Sequence, residues 1–284
     1  MVPYIDWTPF FRSWELHGRY PDILSDEVVG AQATDLFADA QKMLRKIIEE
    51  EKFTAKAVFG IFPAQREGAD DIAVQKNAEQ RIILRTLRQQ LKKKAGVAHR
   101  ALSDYIAPVA AGIRDHIGAF CVTAGFGTEE MALSYSAALD DYNSIMVKAL
   151  ADRLAEAFAE YLHQQVRREH WGYAASETLE NEDLIAEQYQ GIRPAPGYPA
   201  CPDHLEKISL WELLEVEEHI GVSLTDSLAM WPTASVSGYY FAHPEATYFG
   251  VGKMTQDQLE DFAQRKNMDL ATAKKWLAPN LADS

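Results

Sequence analysis

Arg193, Gly197 and Tyr198 lie in the run Gly191-Ile192-Arg193-Pro194-Ala195-Pro196-Gly197-Tyr198-Pro199-Ala200-Cys201-Pro202-Asp203-His204. An arginine offers a planar fork that matches a carboxylate or a phosphate. A glycine lets the backbone come close to a ligand. Prolines at 194, 196, 199 and 202 surround them. Each fixes φ and lacks an N–H, so neither a helix nor a central strand passes through, and each preceding residue is pushed towards extended geometry. The expected product is a stiff, extended loop with one hinge, Gly197, whose carbonyls are free to face something outside their own ladder. A surface connector could have the same composition, but long rigid loops are often functional. His204 follows the loop as either a ligand group or a satisfied hydrogen-bonder.

A second candidate is an acidic row. Asp152, Glu156 and Glu160 recur every four residues on one helix face, with Leu150, Leu154, Phe158 and Tyr161 on the opposite one. Three aligned carboxylates repel one another slightly. The row is either a solvated surface or a face turned to a cationic ligand or partner.

The loop motif R-x-x-x-G-Y, here Arg193 to Tyr198, resembles the signature of the activation (reactivation) domain of cobalamin-dependent methionine synthase. Further segments resemble it in the same order: Val2 to Phe11, Ala149 to Glu160, Trp211 to Glu215, Met230-Trp231-Pro232 and Trp276 to Leu281. The resemblance covers nearly the whole chain. It implies a helmet-like module, residues 1–284, that binds S-adenosylmethionine and presents it to an oxidised cobalamin held by a partner domain. A reduced flavodoxin-like protein is the implied electron donor. The resemblance places Glu156, Tyr248 and Phe249 at the ligand, makes Asp6 an acceptor for it, and puts Asp152 near the cobalamin-facing surface. On its own residues, Asp6 reads as a helix-capping acid ahead of Thr8-Pro9.

The ligand's chemistry sets the demands on the site. Its carboxylate suits Arg193, and its ammonium suits Asp6 or Glu156. Its adenine wants backbone hydrogen bonds and apolar surface, which Ala195, Gly197, Tyr198, Tyr248 and Phe249 could supply. Loop carbonyls or an aromatic face suit the sulfonium. No general base or nucleophile is required, since the role is to position a methyl donor. Arg193→Ala is expected to lose binding while keeping the fold. The homocysteine, folate and cobalamin modules of the full enzyme are absent, as is a D-x-H-x-x-G run, so the chain alone is not expected to make methionine. Two other functions are compatible with the residues: a self-contained methyltransferase for a small molecule, and a protein-interaction module built on the proline loop.

The elements that must position these groups follow an α+β pattern, a mainly antiparallel sheet flanked by long helices. Helices are expected near 8–14, over 26–52, from Thr128 to about Gln165, over 181–190, 209–219, 255–266 and 270–276. Strands are expected at 57–62, stopped by Pro63, then at 71–74, 81–84, 117–125, 223–230 and 235–241, with 246–251 completing a hairpin. Arg85 to Lys94 reads as a basic helix face, or as a dock for an acidic partner. The tail after Pro279 should be frayed.

Composition bounds the rest. With 47% hydrophobic and 25% charged residues the chain is an ordinary globular one. A formal charge of −14 argues against nucleic acid and anionic membranes as partners. No signal peptide or membrane span is visible, so a cytoplasmic location is expected. Cys121 and Cys201 are isolated and read as small buried hydrophobes.

Overall fold

The computed structural model describes residues 1–282. Its strands are β1 (Thr54–Glu67), β2 (Asp71–Gln75), β3 (Arg81–Arg85), β4 (Asp115–Phe126), β5 (Ser223–Leu224), β6 (Met230–Trp231) and β7 (Ser235–Tyr240). Five of them form an antiparallel sheet in the order β3-β2-β1-β4-β7, and β5 pairs with β6 separately. The helices are α1 (Thr8–Ser13), α2 (Gly30–Glu49), α3 (Thr128–Ala137), α4 (Asp141–Gln165), α5 (Asn181–Ile185), α6 (Glu206–Leu214), α7 (Val216–Ile220), α8 (Gln256–Arg265) and α9 (Leu270–Trp276). No helix among the described residues is long and apolar enough to cross a membrane.

Strand alternation decides which layer covers which face. Phe120 and Val122 of β4 meet Ala159 and Leu162 of α4 on one face. Ile117, Ala119 and Cys121 meet Leu210, Leu213 and Leu214 of α6 on the other. The register carries this alternation into the edge strand. Ser237 stands opposite Cys121 and Tyr239 opposite Ala119, so both belong to the α6 face, whereas Val236 and Tyr240 belong to the α4 face. A larger core lies under α1, α2 and α4, where Phe10, Phe11, Leu44 and Leu150 are buried. Burying each such side chain contributes about 1.5–3 kcal/mol relative to leaving it exposed. A smaller core joins α8 and α9 to Leu87 and Val251.

Several elements differ from the sequence pattern, each for a local reason. The long helix expected from Thr128 is two helices, because Leu139 adopts φ +59° and Asp140 restarts the chain by capping Asn143 N–H at 3.0 Å. Pro63 does not stop β1. It pairs with His116 at the residue before β2 joins the ladder, so one flank of the strand is open there. The basic run forms no helix. Arg85 pairs with Asp71, and Arg88 bridges Asp70 and Asp104 at 2.7 Å each, so both arginines serve intramolecular acids. Residues 246–251 add no strand, and Val251 N–H instead bonds Pro199 O at 2.8 Å. The strand expected over 223–230 shrinks to β5 and β6, and the helix over 209–219 breaks at Glu215, φ +49°. The expected 181–190 helix stops at Ile185. The tail is tied down by Ala282 N–H to Met254 O at 2.8 Å, and its last two residues lie outside the described ones.

Candidate functional site

The proline loop is laid along the free edge of β7. Ile192 and Phe241 exchange N–H···O bonds of 3.0 Å each, and Tyr239 N–H bonds Pro194 O at 2.9 Å. The loop therefore acts as a short added strand, and its prolines suit an edge, where a missing N–H leaves no ladder broken. Contact is close: a Cβ on Gly238 would lie 2.6 Å from Pro194 O. Past Pro196 the loop reverses at Gly197, φ +94°, with Gly197 N–H bonded to Cys201 O at 2.7 Å. A Cβ there would lie 2.3 Å from His204 Cε1. This glycine makes room for an imidazole of its own chain. Burial, then the nearby Lys207 ammonium, holds that imidazole below its ordinary range.

Between this loop, β7, α4 and α6 lies a cavity of about 560 Å³. Glu156, Arg193, Ala195, Tyr198, Tyr248 and Phe249 all line it. Gly197 and Asp6 are not among its lining residues. Asp6 instead accepts Thr8 N–H at 2.9 Å, which fits its capping reading. Asp152 borders a neighbouring groove and pairs with Arg153 at 2.5 Å.

The Arg193 guanidinium is held by a buried network. Its Nη2 forms an ion pair with Glu160 Oε2 at 2.8 Å. Glu160 also faces Arg167 Nη1 at 3.9 Å, and the fully buried Arg167 clamps Glu177 through two bonds of 2.7 and 2.8 Å. Arg167 sits in a single π-helical turn, Val166–His170, that extends α4, and its guanidinium lies 4.3 Å from the Tyr189 ring centroid. Tyr189 and Tyr248 share a hydroxyl contact of 3.2 Å, and Tyr248 Oη accepts Arg193 N–H at 3.0 Å. The buried His163 ring stacks on Tyr240 beneath them. Its pKa is lowered by burial and by the two nearby arginines, which keeps it neutral.

The acidic row is thus only partly a surface. Asp152 is exposed, Glu156 is partly covered and Glu160 is buried. Burial raises the pKa of both glutamates, and Arg193 is the main force opposing it. Burial also opposes the charge on Arg193, but Glu160 foremost holds its pKa above the ordinary value.

Arg193 and Glu156 are among the cavity-lining residues that keep unused capacity. Arg193 Nη1 is buried with no hydrogen-bond partner among the described residues. Glu156 has no ion-pair partner within 4.0 Å among them. Buried polar atoms are rarely left this way unless something else satisfies them. An unpartnered donor and an unpaired carboxylate on residues lining a shared cavity fit a zwitterion. Glu187 and Lys207 also line the cavity and Tyr189 supports it through Tyr248, and no sequence pattern singled out any of the three. Ser237 carries a faint one, a hydroxyl alternating with apolar residues in a buried strand.

The chain matches the family model for the vitamin B12-dependent methionine synthase activation domain over residues 1–267. It is also similar to a crystal structure described as the MetH reactivation domain bound to AdoHcy. The two are 54% identical, with a TM-score of 0.95 over 100% of this chain and 87% of that one. The mixed helix and antiparallel sheet architecture is that of the MetH domain, and this chain belongs to the family of vitamin B12-dependent methionine synthase activation domains.

Proposed function

We propose that this activation domain, all of residues 1–284, binds S-adenosylmethionine in the cavity beside the proline loop. There it would present the methyl group for reductive methylation of oxidised cobalamin. The observation that carries this reading is that two residues lining one cavity, Arg193 and Glu156, keep an unpartnered guanidinium Nη1 and an unpaired carboxylate. They suit the ligand's carboxylate and ammonium respectively. The volume lies within the range of small-molecule sites, roughly 300–1,000 Å³. The related structure described as bound to AdoHcy supports the same ligand class. Tyr248 and Phe249 add aromatic surface, and the loop's carbonyls suit a sulfonium.

Cobalamin, when bound to another domain of the synthase, supplies the metal that accepts the methyl. This chain's residues bind and orient the donor, so their contribution is positioning. A cobalamin-binding domain and a flavodoxin-like reductant as partners, and a cytoplasmic setting, belong to the same reading.

Calorimetric titration with S-adenosylmethionine tests it, and pH sharpens the test. The ionised form of Glu156 is the one that meets an ammonium, and burial raises its pKa above that of an ordinary glutamate. Affinity should therefore be full above that raised pKa and fall as pH drops through it, by up to about tenfold per unit. Glu156→Gln should bind weakly at every pH, with a flatter profile. Saturable binding that ignores both the substitution and acid would remove Glu156 from the site. No binding by the unaltered chain would sink the ligand assignment itself.

A further inference from the structure

The amino-acid end of the proposed ligand leaves its adenosine half to be placed, and the proline loop has few donors to offer it. Prolines 194, 196, 199 and 202 have no N–H. The N–H groups of Gly197, Tyr198 and Cys201 bond Cys201 O, Ala195 O and Tyr198 O within the loop. That of Arg193 bonds Tyr248 Oη. The N–H groups of Ala195 and Ala200, two residues that line the cavity, have no partner among the described residues. Two N–H groups cannot serve all the ring-nitrogen and ribose-oxygen acceptors of an adenosine, so further donors must come from elsewhere in the cavity.

Two such groups stand on the opposite layer from Glu156. Ser237 projects from the α6 face of β7 and is 3% exposed, and its Oγ is buried with no hydrogen-bond partner among the described residues. Lys207, the second residue of α6, is 8% exposed. Its Nζ donates to Leu228 O at 2.8 Å, and no carboxylate lies within ion-pair distance among the described residues. An ammonium has three N–H groups, so this one bond leaves donors to place. Both residues line the same cavity as Arg193. Glu156 of α4 and Arg193 stand on the α4 side, whereas Lys207 of α6 and Ser237 stand on the α6 side, so the cavity wraps the β7 edge with one polar wall on each side. Pro194, Pro196, Val236 and Phe249 supply apolar lining between them. Burial with no compensating acid also lowers the Lys207 pKa, as expected of a cation waiting for a partner.

We propose that Lys207 and Ser237 form the wall that reads the adenosine half of the ligand, donating hydrogen bonds to its ring nitrogens or ribose oxygens. This rests on the S-adenosylmethionine reading above. Neither residue touches the reacting methyl; both set specificity for a nucleoside.

The test is titration of the chain and of its Lys207→Met and Ser237→Ala variants with S-adenosylmethionine. Saturation-transfer NMR with 5′-methylthioadenosine, which lacks the amino-acid end, runs in parallel. Each substitution should weaken S-adenosylmethionine about five- to tenfold, the effect of one lost hydrogen bond. The methylthioadenosine signal should fall with it. Ser237→Ala removes a buried, unpartnered hydroxyl, so its melting temperature should hold or rise. A purely structural role for Ser237 would not produce weaker binding beside undiminished stability. Unchanged affinity in both variants overturns the inference and leaves the ligand reading intact. Weaker S-adenosylmethionine binding with an unchanged or absent methylthioadenosine signal overturns the adenosine assignment. If the unaltered chain binds no S-adenosylmethionine, the ligand reading fails, and this inference fails with it.

Discussion

Replacing Arg193 by alanine is expected to abolish S-adenosylmethionine binding and to cost the fold about 3–5 kcal/mol as well. Sequence reasoning predicted the first effect together with a retained fold, on the picture of an arginine in an open loop. The structure places Glu160 behind it, with a side chain only 8% exposed and an oxygen 2.8 Å from Arg193 Nη2. Removing the arginine leaves a buried carboxylate facing Arg167 Nη1 alone, at 3.9 Å. That distance is too long for a hydrogen bond, and Arg167 is already committed to Glu177. The two effects can be separated. Arg193→Met with Glu160→Gln removes both charges while keeping similar volumes, so most of the stability should return. Binding should not return, because the open guanidinium N–H is gone. Chemical denaturation and calorimetry on the single and double variants measure the two effects. A stable, non-binding Arg193→Ala would show that water, not Arg193, satisfies Glu160. A double variant that binds at full strength would remove Arg193 from the ligand's carboxylate.

Gly191→Ala is expected to unhook the loop from the sheet edge. Gly191 has φ +85°, a conformation that costs other residues about 1–3 kcal/mol. The added methyl would also lie 2.4 Å from Phe241 O and 3.1 Å from Tyr173 Oη. Phe241 O is the acceptor of Ile192 N–H, so the overlap falls on the hydrogen bond that starts the added strand. Relief requires moving the loop or the end of β7, at a further cost of about 1–3 kcal/mol. Arg193 lies two residues on, and a shift of an ångström there would break its alignment with Glu160. The expected result is lower stability together with at least a tenfold loss of affinity, since misplacement by about 1 Å can cost two orders of magnitude where positioning is the whole role. Hydrogen exchange at Ile192 and Phe241 would show the cause directly. Full protection of both amides in the variant would contradict it.

Much of the architecture was legible because it depends on local pattern. Short runs dense in apolar residues at 71–74, 81–84 and 117–125 needed only a sheet to sit in, and each became a strand with slightly wider bounds. Pattern failed where a single residue decided the outcome. Leu139 splits a periodic stretch into two helices through one positive φ, and Glu215 does the same further on. The proline loop was legible as rigid, but not as an added strand, because its partner, Phe241, is 49 residues from Ile192.

The same division holds for the site. R-x-x-x-G-Y and the acidic row could be read directly, because side-chain type and helical spacing are local properties. With the family resemblance they implied an ionic ligand, with an arginine suited to its acid group and a carboxylate suited to its amine. Only the tertiary structure decided which residue faces what. It turned Gly197 towards His204 and bonded Asp6 to Thr8 N–H, outside the cavity lining. It buried Glu160 against two arginines from outside the row, and it brought Lys207 and Ser237 to the cavity from α6 and β7. The reason is that burial and charge pairing arise from segments far apart in the chain. The sequence by itself determined the kinds of group at the site; long-range packing determined which are open to a ligand and which are committed to one another.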